Sequence, residues 1–366
     1  MAVSRINEAG LNVNQYGNRR LNLNGAMQVA QRASSAATSD GTEGYKTLDR
    51  WRILYSSSAG GAATMSQDTT VPNTSFANSL KLDVTTADTS ISDNHAITLQ
   101  YRFEAQDIAN SGWDYTNSDS NMSVSFWARS VKAGTYCVFF FTQDGTSKGL
   151  VQEYTLEANT WKYVTLRFKG DSGISFNDDN NNGLTVGWTF VAGANRYDGV
   201  TAGTWVTTNS GSAQGRYATS NQVNFFDSTS NDFYLTGVQI EVGDTATDFE
   251  HRTFADELMR CKRYFQRVGD ASNTQRVCDT FGWTTGIVLP LFLWPVEMRA
   301  APTFSTTDVT GGRIEGDVAV NSTNITSNVL SKQGGTLNVA TSGLTEDNPY
   351  MFSMAAGTFL QLDAEL

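Results

Sequence analysis

Proline is scarce in this chain, 5 in 366 residues against 32 glycines, which favours tight turns over stiff linkers. Cysteine is scarcer still. Cys137, Cys261 and Cys278 form no disulfide framework and no CxxC pair, so neither a stapled secreted scaffold nor a zinc knuckle is expected. Two of the three sit in apolar patterns and read as buried free thiols, suited to assembly in a reducing cytoplasm. The two histidines, His95 and His251, lie far apart and near no Cys or Ser motif. There is no GxSxG, no HExxH and no phosphate-binding loop. No run approaches about 18 apolar residues, so no membrane span is expected. The opening MAVSRINEAGLNVNQYG lacks the apolar segment of a signal peptide. Basic residues are outnumbered, 26 to 37, giving a net charge of −11. That charge repels phosphate backbones, so nucleic acid is not an expected partner. Neither a 20–50-residue repeat nor a heptad run is visible, which sets aside solenoids, propellers and coiled-coil stalks.

What fills the chain is Ser, Thr, Asn and Gly between short apolar alternations. Charged residues are 17%, below the usual quarter. Leu80, Leu82 and Val84 alternate with polar residues, as do Ile97, Leu99, Tyr101 and Phe103, then Met122, Val124, Phe126 and Ala128. Tyr136 to Phe141 is nearly all apolar, as in a strand covered on both faces. Val164, Leu166 and Phe168 alternate, then Leu184, Val186, Trp188 and Phe190. LNLNGAMQV, Leu21 to Val29, reads as a further strand with a glycine break. Eight to ten such strands with turn-rich connections and no βαβ rhythm predict an all-β, two-sheet jelly-roll sandwich.

Phe233 to Arg267 organises the rest. Tyr234, Thr236, Val238, Ile240 and Val242 alternate with Phe233, Leu235, Gly237, Gln239 and Glu241, predicting a closing strand with one buried face. Thr253 reads as a helix N-cap with Asp256 three residues on. Phe254, Leu258, Cys261 and Phe265 share one helical face. Strands then resume. Thr285 to Trp294 is apolar but broken by Pro290, which suits an edge strand or bulge. The expected organisation is an N-terminal arm over 1–20, a jelly roll over 21–248, a connecting helix over 249–270, and a smaller β domain over 271–366.

The run LTGVQIEVGDTATDFEHRTFADELMRCKRYFQ resembles a segment common in phage tail-fibre and virion-surface proteins, especially of marine phages. INEAGLNVNQYGNRRLNLNGAMQVAQR is similar to an opening that recurs in the same proteins, and Pro295 with Met298 to Thr303 to a "P-x-x-MRAAPT" segment of theirs. Asn22, Asn24 and Gly25, followed by Trp51 in LDRWRILY, resemble the first strand of many jelly-roll carbohydrate-binding modules. The resemblance implies a non-enzymatic virion protein, a tail fibre or other surface fibre, assembled in the host cytoplasm. It implies a homotrimer, docking to other virion proteins through the N-terminal arm, and contact with a host-surface glycan. Capsid decoration or a tail-adaptor role is the alternative, and a polysaccharide depolymerase ranks last.

Three sets of side chains are candidates for chemistry. Asp178, Asn180, Asn182 and Gly183 match the start of a calcium loop, but its twelfth position is Thr189 and lacks the bidentate carboxylate. An Asn-rich turn is the plainer reading; Asp178 and Asp179 remain candidate Ca²⁺ ligands, and no other cofactor is expected. Glu104, Asp114, Glu153 and Glu157 occupy strand or loop positions, but nothing pairs them for glycoside cleavage. Loop aromatics are the better prospect, because sugar rings stack on exposed Trp and Tyr. Tyr45, Trp113, Tyr115, Tyr197, Trp205 and Tyr217 are the candidates, packing beneath a loop being the plainer reading of each.

Overall fold

The computed structural model describes residues 18–208 and 215–366; the first 17 residues of the expected arm lie outside them. The chain divides into two compact units, one running to Glu257 and including Leu366, the other Leu258–Glu365.

In chain order the first unit contains β1 (Ser35–Ser39), β2 (Gly44–Tyr45), β3 (Trp51–Ser56), β4 (Ala62–Asp68), β5 (Ser79–Thr86), β6 (Ala96–Glu104), the short helix α1 (Ala105–Ala109), β7 (Asn121–Ser130), β8 (Gly134–Thr142), β9 (Lys148–Leu156), β10 (Lys162–Lys169), β11 (Asn182–Ala192), the single turn α2 (Ala194–Tyr197), β12 (Val206–Thr207) and β13 (Asp232–Val242). They form a six-stranded sheet, β1-β4-β5-β13-β7-β10, and a seven-stranded sheet, β12-β9-β8-β11-β6-β3-β2. The strand pairings are antiparallel. The architecture is a jelly-roll sandwich.

Period-2 alternation builds the core between the sheets. Trp51, Ile53 and Tyr55 point in from β3, Met122, Val124, Phe126 and Ala128 from β7, and Leu184, Val186, Trp188 and Phe190 from β11. Aromatic rings lock the two layers together. Trp188 meets Phe126 of the facing sheet at 5.5 Å and Trp51 of its own sheet at 5.4 Å, and Phe140 stacks on Phe168 of the facing sheet at 3.8 Å. Rings packed this way add about 0.5–1.5 kcal/mol per pair beyond the area they bury.

Two sequence expectations fail here, for physical reasons. β13 does not alternate throughout. Phe233 and Leu235 enter the core, and so do Val238 and Ile240. The phase changes at Gly237, which has φ 62° and sits at a register shift between Thr236 and Gln239. This is a β-bulge that glycine accommodates without a Cβ penalty. Leu21 to Val29 is not a strand, although much of it is buried. It seals the edge of β13 beyond the reach of β5. Leu21 N–H donates to Ile240 O, and Val238 N–H to Gly25 O. The Asn22 amide completes the row, donating to Val238 O at 2.9 Å and accepting from Ile240 N–H at 2.9 Å. A Cβ on Gly25 would lie 2.0 Å from Val238 O, so only glycine fits. Asn24 closes the next loop by donating to Val29 O and Asp49 O, while its own carbonyl accepts from the Trp51 indole at 3.1 Å. The resemblance carried by Asn22, Asn24 and Gly25 therefore falls on residues that set backbone geometry.

The helix α3 (Phe254–Cys261) is shorter than expected, and the division between the units falls inside it. Thr253 caps it, its hydroxyl accepting from Asp256 N–H at 3.2 Å. The expected apolar face forms only in part: Cys261 is buried and Leu258 half-buried, but Phe254 is 56% exposed, while Glu257 is buried. The Glu257 carboxylate accepts from the buried Arg20 guanidinium and from Asn24 N–H. Glu250 accepts from the N–H groups of Asn18, Arg19 and Arg20. Arg20, assigned to the arm on sequence grounds, is thus part of the packed unit.

The second unit continues with β14 (Phe265–Val268), β15 (Gln275–Thr284), β16 (Ile287–Val288), β17 (Leu291–Leu293), β18 (Thr303–Thr306), β19 (Gly312–Glu315), β20 (Ala319–Asn321), β21 (Asn324–Leu330), β22 (Gly334–Ala340), β23 (Pro349–Met354) and β24 (Leu360–Asp363). Phe265, expected on the helix, opens β14. A three-stranded sheet runs β14-β24-β18, and a larger one β17-β22-β16-β15-β23-β19-β20 with β21 also on β22. Pro290 falls between β16 and β17, where its missing N–H costs no ladder bond.

Candidate functional site

The outer face of the seven-stranded sheet carries a set of polar side chains. Antiparallel partners share a face, so the registers define rows of side chains. One row runs Tyr45, Arg52, Gln100, Gly187, Phe139 and Val151. The next runs Arg102, Thr185, Phe141 and Gly149. On the other side lie Leu54, Thr98, Thr189, Cys137 and Glu153. These are the positions of β3, β6 and β11 that alternate with core residues.

Part of this face is roofed by the chain after β11. Tyr217 and Ala218 pack with Cys137, Phe139 and Val151 into a second small core, joined by Tyr197 and Val200. This explains why Tyr136 to Phe141 reads as apolar on both faces: Tyr136, Val138 and Phe140 face the sandwich, and Cys137 and Phe139 face the roof. Glycines make room for it. A Cβ on Gly187 would lie 2.2 Å from the Phe139 ring, and one on Gly149 2.9 Å from Arg216 Cβ.

Where the roof ends, a cavity of about 250 Å³ is lined by Leu54, Gln100, Arg102, Phe139, Phe141, Gln143, Thr185, Arg216 and Tyr217. The Arg216 guanidinium lies 4.6 Å from the Phe141 ring centre and 4.9 Å from that of Tyr217, close enough for cation–π attraction to both. Its Nη2 donates to the Tyr217 hydroxyl at 3.1 Å. Phe139 meets Tyr217 edge to face at 5.0 Å. Arg52 donates to Gln100 Oε1 at 3.1 Å, and Arg102 Nη1 to the backbone oxygen of Leu366 at 2.8 Å. The Nε atoms of Arg102 and Arg216 are buried without a hydrogen-bond partner among the described residues. Burial, and then the charge of Arg102, push the Arg52 pKa down. Such a set of amides, guanidiniums and a hydroxyl, framed by rings, suits a polyhydroxylated ligand.

The six aromatic candidates divide between two environments. Tyr45 and Tyr217 lie on this face, and Tyr197 packs into its roof. Trp113 does not present a ring to solvent. It is 3% exposed in the main core, against Tyr115 and Phe176, with its indole N–H donating to Ser120 O at 3.3 Å. A loop position was no guide, because the loop turns this ring into the core. Tyr115 and Trp205 pack against the same core, and the Trp205 indole donates to Lys169 O at 2.8 Å.

The other candidates have local roles. Asp178 accepts from the Asn110 amide, and Asp179 from the backbone and side chain of Asn181. Among the described residues no three His, Cys, Asp or Glu side chains group as metal ligands do. Glu104 is buried and accepts from Gln106, Glu153 accepts from Thr219 and Asn221, and Asp114 and Glu157 are exposed. Burial pushes the Cys137 thiol up to about 11, which keeps it protonated and unreactive near neutrality. His251 packs between Phe76 and Phe249. Burial first, and Arg20 second, lower its pKa. Sequence reasoning missed Gln100, Arg102, Thr185 and Arg216. The available signal was the outward phase of β6, where Thr98, Gln100 and Arg102 stand opposite an unbroken apolar set.

No family model matches the chain, and no curated protein matches it. Among solved structures it is similar to the enzymatically active domain of bacteriophage CBA120 tailspike protein 4, at 10% identity and TM-score 0.31, over 62% of this chain and 22% of that one. It is also similar to a family 4 carbohydrate-binding module, at 10% identity and TM-score 0.29, over 60% of this chain and 98% of that one. A family 61 module in complex with β-1,4-galactotriose gives 9% identity and TM-score 0.25, over 62% and 99%. The match thus spans less than a quarter of the tailspike chain. At these scores none of the three carries an argument about ligand or activity.

Proposed function

We propose that the chain is a non-enzymatic glycan-binding protein whose first unit holds a saccharide on the outer face of the seven-stranded sheet. The observation that carries this reading is the cavity beside Tyr217, where Gln100, Gln143, Thr185 and two arginines converge on one open space between aromatic walls. Its volume is below the usual range for ligand pockets, about 300–1,000 Å³, so it suits one sugar unit or a chain end. A tagged chain on a glycan array tests the reading. Wild type gives reproducible hits; Tyr217→Ala, which also removes a buried ring of the roof, and Gln143→Ala lose them, the latter with its melting curve preserved. Gln143 is exposed, so the second variant keeps its fold. An array without hits contradicts the reading.

The sequence resemblance to phage fibre proteins supports a place on a virion, as a tail fibre or other surface fibre. Docking through residues 1–17 and a homotrimeric state belong to the same proposal. The second unit leaves Leu291, Leu293, Trp283 and Val329 exposed, an apolar set of the kind that subunit contacts cover. Deleting residues 1–17 abolishes incorporation into particles while the fold survives; retained incorporation removes the arm from the account. The deletion stops short of Arg20, whose loss would take the guanidinium partner from the buried Glu257.

A further inference from the structure

We propose that the saccharide taken by this cleft is acidic, carrying carboxylate or sulfate groups that Arg216 and Arg102 bind. The inference rests on the glycan-binding reading above and adds the charge class of the ligand.

The chain as a whole has a net charge of −11, yet the cavity lining holds two arginines and no acid. Two more arginines stand next to it. Arg52 contacts Gln100, and the Arg196 guanidinium lies 5.7 Å from the Tyr217 ring. Their engagements differ. Arg196 is fixed by Asn94 O and the hydroxyls of Ser56 and Ser57. Arg52 is satisfied in part by Gln100. Among the described residues the Arg216 guanidinium makes one hydrogen bond, to its neighbour Tyr217, and its buried Nε makes none. Arg102 Nε is in the same position. Arg216 and Arg102 both line the open cavity, and a carboxylate or sulfate oxygen is the acceptor that a guanidinium pairs with best.

Neither nearby acid lines the cavity. Glu153 accepts from Thr219 and Asn221, and Glu43 acts on Arg52, outside the lining. Arg216 and Arg102 push down their neighbours Arg196 and Arg52, each time after the larger effect of burial. The cluster is therefore self-repelling, and a bound anion relieves that repulsion. Stacking on Phe141 and Tyr217 holds the Arg216 plane in place, so little side-chain entropy remains to be lost on binding.

The test titrates the full chain with three oligosaccharides of matched length: a sulfated galactan fragment, an oligogalacturonate and a neutral galacto-oligosaccharide. Wild type binds at least one acidic probe roughly tenfold or more tighter than the neutral one, less so at high salt. Arg216→Ala removes the preference, read as the ratio of acidic to neutral affinity. Arg216→Lys retains part of it and serves if the alanine variant fails to fold. The sulfated and uronic arms separate the two sources of charge. Equal or tighter binding of the neutral probe overturns the acidic assignment and leaves glycan binding standing. Acidic binding untouched by either Arg216 variant also overturns it. No binding in any arm, with no array hits, removes both.

Discussion

The two units solve the same packing problem to different degrees. In the first, each sheet presents a full apolar face, and rings such as Trp51, Trp188, Phe126 and Phe140 are completely buried. In the second, a smaller core around Ile314, Val339, Phe352 and Met354 is sealed, while Leu293 stays 81% exposed, Val329 63% and Trp283 56%. A small β unit has too much surface for its volume, and single-layer stretches leave one face uncovered. The difference teaches where each unit makes its contacts. The first is complete within itself and spends its outer sheet face on polar groups; the second carries apolar surface outward.

This contrast can be broken most forcefully from within the first core. Trp188→Ala removes contacts with Trp51 and Phe126 and should destabilise the first unit by about 3–5 kcal/mol. Denaturant unfolding followed by tryptophan fluorescence reads it, and a loss below about 1 kcal/mol would show that the sandwich is not the stable body described here. Glu257→Gln comes next. It leaves Arg20 charged and buried, with an expected cost of about 3–5 kcal/mol before relaxation. Light scattering sharpens the other side. Trp283→Ser with Leu293→Ser should convert an oligomer to monomer, and a wild type that is already monomeric ends the trimer proposal.

The acid limb of stability follows from Glu250. Desolvation pushes its pKa up, but Arg20 N–H, the Arg252 charge and the N–H groups of Arg19 and Asn18 outweigh it, so the pKa falls below its ordinary 4.5. A carboxylate with a lowered folded pKa contributes stability above its unfolded value and loses it as pH falls through the folded one. The first unit therefore weakens below about pH 4.5, and Glu250→Gln flattens that decline. If the variant's acid profile matches wild type, Glu250 is not the group responsible. The smallest effect is expected from chelation. Melting in EDTA should equal melting without it, because Asp178 and Asp179 are hydrogen-bonded to Asn110 and Asn181; a lower melting temperature would restore calcium to the account.

The sandwich was legible because alternation reports directly on burial, as at Leu80, Leu82 and Val84. It failed where geometry depends on one residue. Gly237 carries a bulge that changes the phase of β13, and Asn22 replaces backbone pairing with its side chain. The helix was legible at its cap, Thr253, but not on its face, because Glu257 is buried by Arg20, more than 200 positions away. The site was half legible. Tyr45 and Tyr217 stood out as aromatics between strands. Arg102 and Arg216 did not, since a lone arginine in a strand or loop ordinarily reads as a solvated surface charge; the register of β6 with β11 and the return of the chain over the sheet at Arg216 and Tyr217 bring them to one cavity.

Hydrogen–deuterium exchange with and without an array-positive saccharide tests the binding face most directly. The account predicts slowed exchange in β6, in Phe139 to Gln143 and around Arg216 and Tyr217. Protection confined to the Trp113–Tyr115 loop or to the second unit would contradict it.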